Sequence, residues 1–363
     1  MTLDDTLLDD PVRLAEADSA GLLRAVAMAG AQVRATVESA AELGLADRLD
    51  VGRPRAVVLI SRPGVSRTAT RMLASLLTAS CPVPVVVADV VPAWIGALDV
   101  VIAHTDDPGD RELAATLERA ARYGATVVLS APPEGPVASS VAGRGLVLVP
   151  RVPVPPELAF PRALAAGLLA VNALGLFTAD VAALADQLDA EAERDHLGHD
   201  PFVNPAKSLA LRLVDRTPLL WGLDHLAVAA AAHGAHAFAA HAATVCDVAD
   251  YRQARAQHAL HRAAVMGTSE RDIFADPDDI PAGSAPPRIV LLAVRTGPTA
   301  DAARHRADDA LPGVDVVAPA EEFDADETAR AAVLAMRFEL AAVYLGLATG
   351  TIGGAGRYTP AAV

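Results

Sequence analysis

Arg55-Ala56-Val57-Val58-Leu59-Ile60-Ser61-Arg62-Pro63-Gly64-Val65-Ser66-Arg67-Thr68-Ala69-Thr70-Arg71-Met72-Leu73 reads as a buried strand, a polar turn and the start of a helix. The unbroken aliphatic run Val57–Ile60 asks to be covered on both faces, as strands of a parallel sheet are. The junction after it is an anion site by default, because a helix start exposes unpaired backbone N–H groups and the positive end of the macrodipole. Ser61, Ser66 and Thr68 add hydroxyl donors there, and Arg62 and Arg67 add charge. A plain strand-to-helix connection is the alternative reading.

Outward from this stretch, short apolar runs alternate with amphipathic segments. Val57–Ile60, Val83–Ala88, Leu98–Ala103, Thr126–Ser130 and Leu146–Val149 read as strands, with helices over Ser66–Thr78 and Arg111–Tyr123. That alternation predicts a parallel sheet with helices on both faces, and ligands of such sheets sit at the carboxyl ends of strands. From Pro11 to Asp50, apolar residues at helical spacing predict two helices packed against this first domain. The second half repeats the pattern more loosely, with strands at Leu219–Gly222, Arg288–Arg295 and Val314–Val317 and helices at Asp224–Ala242 and Asp324–Leu347. Met266–Pro287 reads as a loop.

Composition narrows the classes of partner. The formal net charge is −15 over 363 residues, which argues against a nucleic-acid backbone or an anionic membrane as the main partner. No apolar run of about 18 residues is free of charges and prolines, so no membrane span is expected. The acidic start Met1-Thr2-Leu3-Asp4-Asp5 is unlike a secretory signal, which predicts a cytoplasmic protein. Cys81 and Cys246 stand far apart among apolar neighbours, as reduced thiols do. Lys207 is the only lysine, so lysine chemistry is excluded elsewhere.

Several short stretches, in order along the chain, carry a family likeness: Leu22–Arg34, Pro161-Arg162-Ala163, Asn204-Pro205-Ala206-Lys207-Ser208-Leu209-Ala210, Asp272–Pro277 and Tyr344-Leu345-Gly346-Leu347. They resemble the bacterial bifunctional phosphoglucose/phosphomannose isomerase family, closest to its divergent actinobacterial TobH-type branch. The resemblance implies two sugar isomerase (SIS) domains, each a five-stranded parallel sheet flanked by helices, in a homodimer acting on a hexose 6-phosphate. It also implies hydroxyls and backbone N–H groups that hold the phosphate, a glutamate that moves the proton and a histidine that opens the ring.

Measured against that pattern, the chain keeps some parts and loses others. The first loop, Ser61–Ser66, retains part of the family's glycine-rich sequence. At the phosphate loop stands His104-Thr105-Asp106-Asp107-Pro108-Gly109-Asp110, with three carboxylates. Two like charges about 4 Å apart at an effective dielectric near 20 repel by roughly 4 kcal/mol, more than a few neutral hydrogen bonds of about 1 kcal/mol return. A local reading makes Asp110 the N-cap of the next helix, with Asp106 and Asp107 as favourable charges near its start; carboxylates holding Mg²⁺ are a third alternative. The stretch expected to hold the catalytic glutamate, Gly234–Ala242, has none. Losing a general base costs roughly 10²–10⁴-fold in rate. The ring-opening histidine, expected near Tyr251–Ala254, is also missing, and Thr349–Gly354 replaces the family's C-terminal Asp-Pro.

Other constellations have local explanations. His225, His233, His236 and His241 share a predicted helix, where they can be interface residues, sugar-binding groups or metal ligands. Asn204-Pro205 reads as a helix start, with Lys207 either solvated or an anion ligand. Gly350–Gly356 reads as a flexible tail.

The resulting expectation is an α/β protein with a helical segment at 1–50, a first SIS domain at 51–180, an inter-domain segment at 181–215, a second SIS domain at 216–348 and a tail at 349–363. The candidate catalytic residues are Arg162 and His241, and the candidate ligand-binding residues are Ser61, Arg62, Ser66, Arg67, Thr68 and Thr105. The expected partners are a sugar phosphate or related carbohydrate and a second copy of the chain, with no nucleic acid, membrane, metal or cofactor. The function expected is carbohydrate-derivative binding at a degenerate isomerase site. An active isomerase with a relocated base, His241 or Glu270, and a regulatory or scaffold subunit are the alternatives.

Overall fold

The computed structural model describes residues 3–4, 6–77, 81–269, 285–311 and 314–353. The chain forms two compact units, Arg24–Ala192 and the combination of Met1–Leu23 with Glu193–Val363.

The first unit is built on five parallel strands: β1 (Ala56–Ile60), β2 (Val85–Ala88), β3 (Asp99–His104), β4 (Thr126–Ser130) and β5 (Leu146–Leu148), in the order β2-β1-β3-β4-β5. Val58 of β1 is aligned with Val86 on one side and Val101 on the other. The strands fall within two residues of the runs read from sequence. Alternate side chains part to opposite faces. Val58, Ile60, Val101 and Leu129 pack on Leu113 and Leu117 of the helix Arg111–Arg122. Leu59, Ile102 and Val128 look the other way, toward Ala69 and Leu73 of the helix Val65–Leu77 and Ala163 of the helix Phe160–Ala173. A Cβ on Gly167 would lie 2.5 Å from Leu73 Cδ2, so glycine is what lets those two helices approach. The helix Ala29–Leu43 joins this unit through packing on Phe160–Ala173.

The second unit holds β6 (Thr217–Gly222), β7 (Asp247–Asp250), β8 (Pro287–Leu292) and β9 (Asp315–Val317), all parallel, in the order β7-β6-β8-β9. Four strands stand here among the described residues where five were expected. After β9 the chain makes a 3-10 turn at Pro319–Glu321 and enters the helix Glu327–Ala348, leaving no segment for another strand on that side. β7 escaped the sequence reading because it is a four-residue edge strand bounded by Asp247 and Asp250, with no apolar run to announce it.

Glu327–Ala348 is the one described helix long and apolar enough to cross a bilayer, and every residue from Thr328 to Ala348 is buried within the fold. It crosses the helix His225–Ala242 at close range. A Cβ on Gly234 would meet Phe338 at 2.7 Å, and one on Gly346 would meet the His241 carbonyl at 2.1 Å. Its charged residues have partners: Arg337 is bidentate on Glu322 at 2.6 and 2.5 Å, and Arg330 donates to the carbonyls of Val294 and Ala325 at 2.8 and 2.6 Å.

The expected N-terminal segment is divided between the units. Residues up to Leu23 belong with the second unit, where Lys207 Nζ donates to the Leu8 carbonyl at 2.7 Å. Of the expected tail, 349–353 close the last helix, Thr351 N–H donating to the Gly346 carbonyl at 2.8 Å; the remainder lies outside the described residues, as do Glu270 and Asp272–Pro277.

Candidate functional site

In an open parallel sheet the natural crevice lies beyond the carboxyl ends of the two strands whose connections leave in opposite directions. In the first unit those strands are β1 and β3, followed by the loops 61–64 and 105–110. Gly64, at φ +78°, supplies the left-handed turn that launches the helix Val65–Leu77.

The residues of the first loop engage their own fold. Arg62 reaches across the crevice, with Nε and Nη2 donating to Asp110 Oδ2 and Oδ1 at 2.8 and 3.1 Å, and Nη1 to Glu112 Oε2 and to the Asp89 carbonyl, both at 3.0 Å. Burial works against the Arg62 charge, but the hydrogen bonds it donates to Asp110 and Glu112 prevail and raise its pKa. Asp110 is also the N-cap expected from sequence, accepting the Leu113 N–H at 2.9 Å. Ser66 Oγ donates to the His104 carbonyl at 2.8 Å and accepts the Arg62 N–H at 3.2 Å. Thr68 Oγ1 donates to the Val65 carbonyl at 3.1 Å. Ser61 is buried at the end of β1, and Arg67 is exposed on the first turn of the helix. The hydroxyls of Ser66 and Thr68 are therefore committed to backbone.

The second loop carries a buried relay. His104, at the end of β3, lies with Nδ1 3.0 Å from Ser130 Oγ and Nε2 3.0 Å from Asp106 Oδ2. The other Asp106 oxygen, Oδ1, accepts from Arg162 Nη2. Asp106 thus faces inward, and burial, which would raise its pKa, is outweighed by His104 and Arg162, which hold the carboxyl below its ordinary range. Thr105 is buried beside it, Oγ1 accepting the Asp107 N–H at 3.1 Å. Asp107 is exposed, its Oδ1 accepting the Gly109 N–H at 2.8 Å. Behind the relay is a cavity of about 20 Å³ lined by Leu59, Thr70, His104, Ser130, Ala163 and Gly167. That is room for one water, not for a sugar.

In the second unit the corresponding crevice lies between β6 and β8. Asp224 caps the helix His225–Ala242 through Oδ1, accepting the Ala227 N–H at 2.9 Å, and spans the crevice with Oδ2, accepting the N–H groups of Val294 and Arg295 at 2.9 and 3.0 Å. A Cβ on Gly222 would lie 2.5 Å from Val228 N, so the helix start rides directly on the strand end.

The histidines of that helix are dispersed in role. His233 Nε2 lies 2.8 Å from Glu339 Oε1, both side chains buried. His236 is half-buried and driven toward its neutral form by burial and then by His233, with Glu339 opposing. His241 is buried in the last turn. Glu339, the carboxylate beside His233, comes from another helix and lies 2% exposed. Among the described residues no three metal-ligating side chains come together. Lys207 binds no solvent-borne anion in this arrangement, since Nζ donates to three carbonyls, those of Leu8, Leu197 and His199, at 2.7, 2.8 and 2.8 Å. Burial lowers its pKa, Asp9 and Asp200 opposing.

No family model and no curated protein matches the chain. Solved structures match most of its length. A candidate phosphosugar isomerase from Silicibacter pomeroyi is 15% identical, with 91% of this chain and 98% of that one covered at a TM-score of 0.60. The chain has the sugar isomerase fold. A candidate sugar-binding protein from Salmonella typhimurium (13% identity, 89% and 99% covered, TM-score 0.58) and the C-terminal domain of glucosamine-fructose-6-phosphate aminotransferase from Francisella tularensis (10%, 91% and 96%, 0.56) share it. What is common to the three is architecture, and the chemistry must be argued from the residues that this chain places in its crevices.

His104, Ser130 and Asp224 were not among the residues singled out for the site. His104 and Ser130 end adjacent strands, and a polar residue closing an apolar run was the available signal.

Proposed function

We propose that this protein is a carbohydrate-derivative-binding member of the sugar isomerase fold that does not interconvert aldoses and ketoses, and that it descends from the phosphoglucose/phosphomannose isomerase type. The observation that carries the reading is the occupation of both crevices by the chain's own carboxylates, Asp110 on Arg62 and Asp224 on the Val294 and Arg295 N–H groups. Asp106, Asp110 and Asp224 are each held by a cation, a histidine or backbone N–H groups, and the segment Gly234–Ala242 has no carboxylate. Proton abstraction next to a carbonyl needs such a base within hydrogen-bond reach. A homodimer is part of the proposal, read out by mass in solution.

The test is a pair of measurements on the intact chain. Calorimetric titration with a panel of sugar phosphates and amino-sugar phosphates is expected to find a ligand, while a coupled assay converting fructose 6-phosphate finds no rate above background. Turnover that disappears in Arg162→Ala would overturn the reading in favour of an active isomerase. A second reading, a regulatory or scaffold subunit with no sugar ligand, is favoured by the same occupied crevices. A flat titration across the whole panel would select it.

A further inference from the structure

The five strands of the first sheet are parallel, so the residues leading into them gather at its amino end, the end opposite the crevice. Three large apolar side chains stand exposed there: Trp94 (47%) and Leu98 (72%) before β3, and Tyr123 (53%) before β4. The two turns touch, since a Cβ on Gly124 would lie 3.1 Å from Ala97 Cβ. Arg55 pins both ends of 94–98, its backbone N–H donating to the Leu98 carbonyl at 2.7 Å and Nη2 to the Trp94 carbonyl at 2.9 Å, with the guanidinium 5.5 Å from the centre of the Trp94 ring. Side chains displayed on a fixed backbone lose little freedom on contact. Tryptophan, tyrosine and arginine are also the residues that dominate the energetics of protein interfaces.

Charge selects what covers this end. The chain as a whole carries −15, yet Arg53 and Arg55 lead into β1, Arg122 into β4 and Arg144 into β5, all of them exposed. Among the described residues the acids there are Asp50 and Asp99, and Asp99 is buried against Arg55, whose Nε donates to Oδ1 at 2.9 Å. A two-fold contact with a second copy would set these arginines against themselves. A nucleic acid would run past the patch onto the acidic remainder of the chain, and Leu98 would give it nothing to stack on. We propose that the amino end of the first sheet is a docking surface for a short acidic protein segment, its carboxylates on Arg53, Arg122 and Arg144 and its aliphatic or aromatic side chains on Trp94, Leu98 and Tyr123. The surface is independent of whether either crevice takes a sugar.

The probe is a random peptide library displayed on phage and selected on the full wild-type chain. Enriched sequences are expected to be acidic and to carry leucine, phenylalanine or tryptophan; enrichment of neutral or basic sequences, or of none, overturns the proposal. A peptide synthesised from the selection is expected to lose roughly tenfold or more in affinity, by calorimetry, against Leu98→Ser and against Arg122→Glu, and to bind more weakly as salt is raised. Both side chains are exposed, so neither change asks the core to repack. Equal affinity for wild type and both variants puts the peptide elsewhere on the chain and overturns the proposal. So does a single-stranded oligonucleotide that binds wild type more tightly than the peptide and is lost with Arg122→Glu, which assigns the surface to nucleic acid. Self-association in sedimentation that Leu98→Ser abolishes assigns it to a second copy and overturns the proposal as well.

Discussion

In the first unit the crevice between β1 and β3 is crossed by one side chain gripping another, Arg62 on Asp110, with the Asp106–Arg162 pair buried beside it. In the second unit the crevice between β6 and β8 is crossed by a side chain gripping backbone, Asp224 on two N–H groups. In each case the carboxylate also caps a helix. Asp110 caps the helix after β3, and Asp224 the helix after β6, so the two crevices are tied from opposite sides. Parting Arg62 from Asp110 leaves two side chains that water can solvate, whereas turning Asp224 away orphans the backbone N–H groups of Val294 and Arg295. The first crevice is therefore the one that a ligand or a substitution can open, and the second is part of the scaffold.

Three results would break or sharpen that contrast. The largest effect is expected for Arg162→Ala. It leaves the Asp106 carboxylate buried without its cation, and breaking such a pair costs about 3 kcal/mol or more, read as a fall in urea midpoint at unchanged slope. A loss near that of a surface pair, below about 1 kcal/mol, would mean that Asp106 turns out to solvent and that the pair is not structural. Next comes Asp224→Ala, which removes a cap worth about 1 kcal/mol and orphans two further N–H groups, for a total of about 2–3 kcal/mol. Asp224→Asn is expected to restore roughly half, since its amide oxygen serves one side of the bridge. If Asp224→Ala costs no more than an ordinary cap, the second crevice is as openable as the first.

The smallest signal is in acid. Asp106 titrates below its ordinary value of 3.8 in the folded chain because of His104 and Arg162. A depressed carboxyl stabilises the fold fully above its unfolded pKa and loses that contribution as pH falls through the folded one. Stability is thus expected to decline from about pH 4 downward, and Asp106→Asn to lose less over that interval than wild type. Equal acid slopes in the two proteins would remove Asp106 from the account.

How much of this was legible in the sequence follows from the range of each interaction. The inner strands of the first sheet, β1, β3 and β4, were, because a strand buried on both faces must be written as a largely apolar run. The caps at Asp110 and Asn204 were too, since a cap is settled within three residues. β7 was not, being an edge strand whose pairing with β6 and not its composition makes it a strand. The roles of Arg62 and Arg162 were not either. The sequence reading makes Arg62 a ligand group and Arg162 a catalytic one, and their carboxylate partners lie 48 and 56 residues away. Lys207, the single lysine, gave no sign that it would be buried on three carbonyls from two separate segments.

The sequence by itself determined the parallel α/β architecture, the helix starts and the absence of a glutamate where an isomerase of the resembling type would carry one, because periodicity, capping and residue identity are local properties. Only the tertiary structure decided that the charged groups near the strand ends are spent on one another. An arginine near a strand end is a ligand group or a brace according to which carboxylate the sheet order sets opposite it, and that order is fixed by long-range packing.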